Sequence, residues 1–506
     1  SRYGDVLTPE MVSQQDIDAE MAAIYEGYKI WTFEAYVLGS AMHMIKRRLV
    51  DRIVVVGLFE CGPESVIEAF IENIAGKSGI PLLKLYLDDH SGEAGLDTRI
   101  EAFMDTSANT MPTASETQKF DFHIVHRKLE KPVLGFTAMG NLDLVVRSVF
   151  ADCGVEMVKP VKLSRRSLEI GKELAPEYMC MPLSAMLGQM IEMMDAGANR
   201  FLMLGGKGKC RLGWYAQIQD ILLRKTGREP DFYILDSPFP LITKWAEFYN
   251  TLRSVTCGVR LDRVVKSLWL GLEKLKLIDR AEQTCHRMRA YEAARGSCDR
   301  VFDKLIKRVA DAGSFGAIRR LDAEFAEEIS SIKTEETDPL KVVISGEIWT
   351  VLEPFANMDI DRMLGRLPNV RVRVFRPDSV TAWFEKHVLH MGAGKRYGKE
   401  LENAARPYLS LPVGGHGLES VGQTVLAARN GADGVIQLMP FTCMPEIVAQ
   451  NIISSISDEL DIPVLTLIIS DQTGEAGMMT RLDAFLDLLE ERRIEKRAWD
   501  NELYRH

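Results

Sequence analysis

Cys443-Met444-Pro445-Glu446, followed by Ile462-Pro463, Asp471, Gly474-Glu475-Ala476-Gly477, Thr480-Arg481, Ala484-Phe485 and Asp487, is a pattern the chain carries twice. Cys61–Asp105 aligns on Cys443–Asp487 without a gap, at a constant offset of 382, with 20 identities in 45 paired positions. Composition alone would give on the order of three. Such self-similarity reads as an internal duplication. In each copy an apolar run (Ile53–Leu58; Val435–Met439) leads into the cysteine, then come a helical stretch, a second apolar run after Ile-Pro, the Gly-Glu-Ala-Gly turn and a closing helix. Apolar strands bounded by helices predict an α/β fold: several doubly wound parallel-sheet domains, each sheet covered on both faces.

Outward from the two copies, the same grammar continues. Residues 1–110 are expected to form a partial α/β unit with the first copy. Residues 111–130, in a Ser/Thr-rich stretch with Pro112, read as a linker. Residues 131–240 read as a second α/β domain, with short strands at Val133–Phe136, Val155–Val158, Phe201–Leu204 and Phe232–Leu235. Residues 241–338 lack proline and repeat apolar residues at helical spacing (Val264, Leu268, Leu272, Leu275), predicting a mostly helical connector. Residues 339–506 are expected to form a further α/β domain, with strands at Val342–Ser345 and Val372–Phe375, ending in the second copy. The first copy has only some 50 helix-like residues ahead of it, and residue 1 is Ser rather than Met. The chain is therefore expected to start partway through an ancestral unit, completed by a second polypeptide or protomer.

Composition narrows the function. Among 506 residues, 46% are apolar and 26% charged, which suits several real cores and excludes wholesale disorder. Acidic residues outnumber basic ones 72 to 62, a net charge of −10 that argues against nucleic acid or an anionic membrane as partner. No apolar run approaches the ~18 residues of a membrane span, and no signal peptide opens the chain. A reducing, cytoplasmic location is the expectation, so the eight cysteines read as core residues or metal ligands rather than a disulfide scaffold.

Three cysteines share one context: Cys61-Gly62-Pro63, Cys180-Met181-Pro182 and Cys443-Met444-Pro445. Proline favours the first helical turn, so each thiol is expected just before a helix N-terminus. There the dipole and free N–H groups favour the thiolate that binds metal. Cys61 and Cys443 also follow a buried strand, the edge at which open α/β sheets place ligands. Cys210 sits in Gly205-Gly206-Lys207-Gly208-Lys209-Cys210-Arg211, a flexible cationic loop suited to an anionic iron–sulfur cluster. Zinc would favour Cys-x-x-Cys pairs, which the chain lacks. Cys153, Cys257, Cys285 and Cys298 lack these contexts and are assigned to packing.

Other candidates are less specific. The Gly205–Lys209 and Gly392–Lys395 loops do not complete a P-loop. His387-x-x-His390 is either a metal pair or a surface feature. His416, in Gly414-Gly415-His416-Gly417, lies on a loop that could face a cleft. Glu347, closing Ser345-Gly346-Glu347, either acts on a ligand or caps the next helix.

Taken together, Pro-Glu-Tyr-Met-Cys180-Met-Pro, Gly-Lys-Gly-Lys-Cys210-Arg, Gly346-Glu347-Ile, Gly-Gly-His416-Gly and Pro-Phe-Thr-Cys443-Met-Pro-Glu resemble the CoA-enzyme-activase-related proteins. These in turn are similar to the superfamily of 2-hydroxyacyl-CoA dehydratases, benzoyl-CoA reductases and double-cubane cluster proteins. The resemblance covers residues 131–490, and residues 30–110 as a partial second unit. It implies an iron–sulfur protein of anaerobes with a 4Fe-4S or double-cubane 8Fe-9S cluster between two α/β domains, held by Cys180, Cys210 and Cys443. Cys61 matches the third ligand of a second unit whose first two are missing from this chain. The implied partner is an ATP-hydrolysing activase of the actin/sugar-kinase fold that delivers low-potential electrons. The expected function is a cluster-bearing component of a dehydratase- or reductase-like system, acting on an acyl-CoA or other small substrate, with Glu347 and His416 as catalytic candidates. The alternative is a non-catalytic scaffold or cluster-assembly protein that binds another iron–sulfur subunit.

Overall fold

A computed structural model of the chain describes residues 6–22, 33–58, 62–105, 126–177, 179–205, 211–239, 241–390 and 392–503. Among the described residues, nine strands form three sheets. β1 (Ile53–Leu58) pairs with β2 (Leu82–Leu87). β3 (Leu134–Gly135), β4 (Arg200–Leu204) and β5 (Asp231–Leu235) form the second sheet in chain order. β6 (Leu340–Gly346), β7 (Val372–Phe375), β8 (Gly434–Pro440) and β9 (Val464–Ile469) form the third, in the order β7-β6-β8-β9. Every pairing is parallel, which suits the mostly apolar β6 and β8, since both faces of a parallel sheet are packed. All seven residues of β8 are buried.

The α/β class and parallel sheets match expectation, with local differences. Val155–Val158 contributes only a bridge, Met157 to Leu134, because Glu156 interrupts the apolar run and Pro160 has no N–H to extend a ladder. β1 is not covered on both faces: Val54, Val56 and Leu58 are 43%, 54% and 67% exposed. The linker lies largely within residues 106–125, outside the described residues.

Residues 241–330 supply four helices, Leu241–Val255, Leu261–Met288, Ser297–Val309 and Phe315–Ser330. The long helix Leu261–Met288 packs on helix Leu142–Asp152 of the second unit and on β7 and helix Val380–His387 of the third. Glu282 accepts from Asn141 (2.9 Å) and pairs with Arg376, while Asp279 accepts from the Thr381 N–H (2.8 Å). One helix thus fixes two sheets relative to each other. Their strand C-terminal edges meet: Gly140 N–H donates to Glu353 (2.9 Å), Trp349 Nε1 to the Ala138 carbonyl (3.0 Å) and Ser237 to the Val388 carbonyl (2.8 Å), and Lys172 pairs with Asp471.

The first and last units share element bounds at the offset of 382. β2 maps onto β9, and helix starts Gly62 and Glu93 map onto Met444 and Glu475. The register Ile53↔Leu82 maps onto Val435↔Val464. Arg99 donates to the Lys84 carbonyl (2.7 Å) as Arg481 does to that of Thr466 (2.9 Å). The first unit packs on the second through helix Gly62–Ser78 against helix Tyr215–Lys225, with Ser65 3.7 Å from the Met179 sulfur and Lys225 paired to Glu72.

Candidate functional site

Cys180 is placed by two helices in unusually close contact. Helix Met181–Asp195 crosses helix Arg165–Lys172 at Gly188 and Gly171. A Cβ on Gly188 would fall 1.7 Å from the Ser167 carbonyl oxygen, and one on Gly171 1.7 Å from that of Ser184. Cys180 is the N-cap of the buried helix, with extended backbone, Pro182 in the first turn and no side-chain cap bond. Its thiol is buried, and Sγ lies 2.7 Å from the hydroxyl of Tyr215.

Cys443 repeats the arrangement on the third sheet. β8 ends at Pro440, the backbone turns through Thr442 at φ +65°, and Cys443 N-caps helix Met444–Glu459 with Pro445 in the first turn and no side-chain cap bond. The thiol is buried. Both cysteines thus sit at the positive end of a helix without spending their side chains on a cap bond, the setting that favours an anionic sulfur donor. Cys61 and Cys210 lie outside the described residues. Among the described residues no three His, Cys, Asp or Glu side chains are grouped to hold a metal.

Around Cys443 the edge is rich in buried polar groups. Gly417, opening helix Gly417–Arg429, lies so close to the Cys443 helix that a Cβ would come 2.4 Å from the Pro445 carbonyl oxygen. Its N-cap, His416, is 7% exposed, and neither ring nitrogen has a hydrogen-bond partner. The His387 ring lies 5.9 Å away, and burial, with the charge of His416, pushes its imidazole down to about 4. Asp378, held by Gln423 at 3.0 Å, is pushed up by burial against the pull of His416. Glu419 is opposed by burial too, but His416 and its Lys386 ion pair keep it below the usual carboxylate range. His387 therefore belongs to the His416 cluster, whereas His390 is exposed at a left-handed turn.

Glu446, three residues into the Cys443 helix, accepts from Ser420 (3.0 Å) and Gln437 (2.9 Å), and Gln437 accepts from Thr466 (3.0 Å). Burial, aided by the charges of Glu347 and Glu419, pushes its carboxyl up to about 8. A buried carboxylic acid beside a thiol was not among the sequence candidates. The Cys-x-Pro-Glu repeat was its only signal, and the burial that raises it is set by packing against helix Gly417–Arg429 and β8.

Glu347 caps. Its N–H donates to the Leu438 carbonyl (2.9 Å), and its carboxylate accepts from the N–H of Trp349 (3.0 Å) and Thr350 (2.8 Å) and from the Thr350 hydroxyl (2.8 Å). Gly346 before it has φ +137°, and a Cβ there would lie 1.9 Å from the Leu438 carbonyl oxygen. Of the cysteines assigned to packing, Cys153, Cys285 and Cys298 are buried and desolvation raises their thiols, Cys285 to about 12. Cys257 departs from that assignment. It is exposed at φ +54°, because helix Leu241–Val255 ends in a turn there, and Arg200 donates to its sulfur at 3.4 Å.

No protein-family model matches the chain, and no curated protein matches it. No helix among the described residues is long and apolar enough to cross a membrane.

Proposed function

We propose that the chain is an iron–sulfur-cluster-bearing component of an ATP-driven, low-potential electron-transfer system of the dehydratase or reductase type, acting on a small substrate such as an acyl-CoA. One observation carries the reading: Cys180 and Cys443 both N-cap helices that start at two sheets whose strand C-terminal edges abut. Open α/β sheets bind ligands at that edge. Cys180, Cys210 and Cys443 would hold a 4Fe-4S or double-cubane cluster, and Cys61 is the candidate for a second site. The cluster would supply one strongly reducing electron at a time. The chain's own groups then provide charge and protons. Helix N-termini stabilise the thiolates. With Cys180 as thiolate, the Tyr215 hydroxyl 2.7 Å away would donate to its sulfur, as hydrogen bonds to cluster sulfurs tune potential. His416, desolvated and without a hydrogen-bond partner, is the group best placed to take or give a proton. Glu347 holds its helix start and keeps negative charge near Glu446. Electrons would come from a separate ATP-hydrolysing activase of the actin/sugar-kinase fold.

Anaerobically purified or reconstituted protein should contain about four iron atoms per chain or more, with thiolate-to-iron charge-transfer absorbance. Cys443→Ala and Cys180→Ala should each abolish it. Iron-free protein after anaerobic reconstitution overturns the proposal. The exposed apolar face of β1 favours a second reading, a scaffold that holds another iron–sulfur subunit. Turnover with activase, ATP and reductant in the absence of any further subunit would refute it.

A further inference from the structure

The two units that share element bounds differ in what surrounds their first strand. In the last unit β6 runs along one edge of β8, in the register Val342↔Gly434 to Gly346↔Leu438. Ile436 and Leu438 are fully buried, in one cluster with Val342 and Ile344 of β6 and Leu482 of the closing helix. Their counterparts on β1 are Val54 and Val56, each about half exposed. Among the described residues β1 pairs with β2 alone. Its closing helix, Glu93–Asp105, buries no residue, whereas the equivalent stretch of helix Glu475–Leu503 buries Met478, Leu482 and Phe485. Along the β1 edge runs a groove of about 530 Å³, lined by Val54 and Val56, by Ala41 and Met44 of helix Phe33–Lys46, and by Val6 and Leu7.

We propose that this edge and face are a docking surface for a half-domain built like residues 340–390, supplied by polypeptide outside residues 1–506. Its strand would enter the groove parallel to β1, and its following helices would cover Val54, Val56 and Leu58. The reasons are physical. β1 (Ile-Val-Val-Val-Gly-Leu) carries no charge or proline, the usual devices that keep a free edge from pairing, so the edge is built to be paired. Parallel order follows from the β6–β8 precedent. That precedent also fixes one residue of the partner: the position opposite Val56 corresponds to Gly346, where a Cβ would strike the facing carbonyl oxygen, so the incoming strand should carry glycine there. A second copy fits less well, because a two-fold axis pairs β1 with β1 antiparallel and brings no helix over the exposed face. None of this requires a metal, so the surface stands or falls independently of the cluster.

The test uses the full chain, alone and extended at its N-terminus by a second copy of residues 339–416 on a flexible Gly/Ser linker, with hydrogen exchange read at β1. In the chain alone the Val54 and Val56 amides should exchange fast at every protein concentration. In the extended chain they should slow about tenfold or more, the signature of new ladder bonds. Val56→Lys should cancel that slowing yet leave the melting temperature of the unextended chain unchanged. The proposal is overturned if β1 amides are already slow in the chain alone through a dimer that Val56→Lys dissociates, since the occupant is then a second copy. It is equally overturned if the extension leaves β1 unprotected, whether or not the added segment protects its own amides.

Discussion

Replacing Glu446 by glutamine should flatten the pH dependence of stability. In the folded chain this carboxyl titrates at about 8, against an ordinary value of 4.5, chiefly because burial penalises the anion. The folded state therefore keeps a proton that the unfolded state releases. The resulting stability is fully present below the unfolded value and is lost as pH rises toward 8. Each pH unit in that window removes about 1.4 kcal/mol, so the whole window is worth on the order of 5 kcal/mol. Glutamine preserves the local bonds: its carbonyl can accept from Gln437 Nε2 and its amide can donate to the Ser420 hydroxyl, while Thr466 keeps the Gln437 amide oriented. Hydrogen exchange at β8 amides, with urea midpoints measured anaerobically at pH 5, 6, 7 and 8, would follow the difference. Wild type should lose ground steadily to Glu446→Gln, with the gap widening by about 2–3 kcal/mol between pH 6 and 8. Parallel curves, or a wild type that gains on the variant with rising pH, would refute the assignment of a buried neutral acid.

Gly188→Ala should lower stability by about 3 kcal/mol or more, because the new methyl overlaps the Ser167 carbonyl oxygen and the two helices must separate. It should also move Cys180, so urea midpoints and iron content should fall together. Gly346→Ala combines a positive φ with overlap on the Leu438 carbonyl oxygen, and should cost a similar ~3 kcal/mol, read as lost soluble expression or an early melt. Lys172→Ala, by contrast, removes a half-exposed ion pair to Asp471 and should shift stability by under ~1 kcal/mol. In native apoprotein at pH 8, a maleimide should label Cys257 quickly. Cys153, Cys285 and Cys298 should react only after unfolding, since they are buried and desolvation raises their thiols.

Much of the fold was legible because the strands of these parallel sheets are mostly apolar. β1 and β7 have the bounds expected of their apolar stretches, and β8 is only one residue longer at each end than its own. The Cys-x-Pro pattern likewise located two helix starts, since proline is tolerated in the first turn and nowhere deeper. What sequence could not supply was the company each residue keeps. Glu347 is local enough to read either way, and its carboxylate proves to bind its own helix start. The raised carboxyl of Glu446 depends on its burial, which outweighs the pull of the Ser420 and Gln437 hydrogen bonds, and the isolation of His416 on packing around a loop. No short window of sequence contains those relations. Coverage of β1 failed as an expectation for the same reason: the pattern of a strand says what it can pair with, not whether the partner strand lies in the same chain.

The repeat itself shows how far a motif travels. Cys-x-Pro-Glu occurs at both 61–64 and 443–446, and the strand register and helix start around it coincide at the offset of 382, yet the two glutamates meet different surroundings. Glu446 turns inward, where Ser420 and Gln437 receive it. At the offset of 382 those positions are Leu38 and Val55, which offer no hydrogen bond. Glu64 accordingly turns along its own strand. Its carboxylate accepts from the Leu58 N–H at 3.1 Å and lies over Gly57, where a Cβ would come within 2.5 Å of Oε2. Shared backbone thus carries two chemistries, an enclosed proton store beside Cys443 and a carboxylate tied to the end of an open strand beside the first copy. Proton-coupled behaviour near Cys443 should accordingly be absent from the first unit, and substituting Leu38 or Val55 with polar residues would not create it unless the β1 face were also closed.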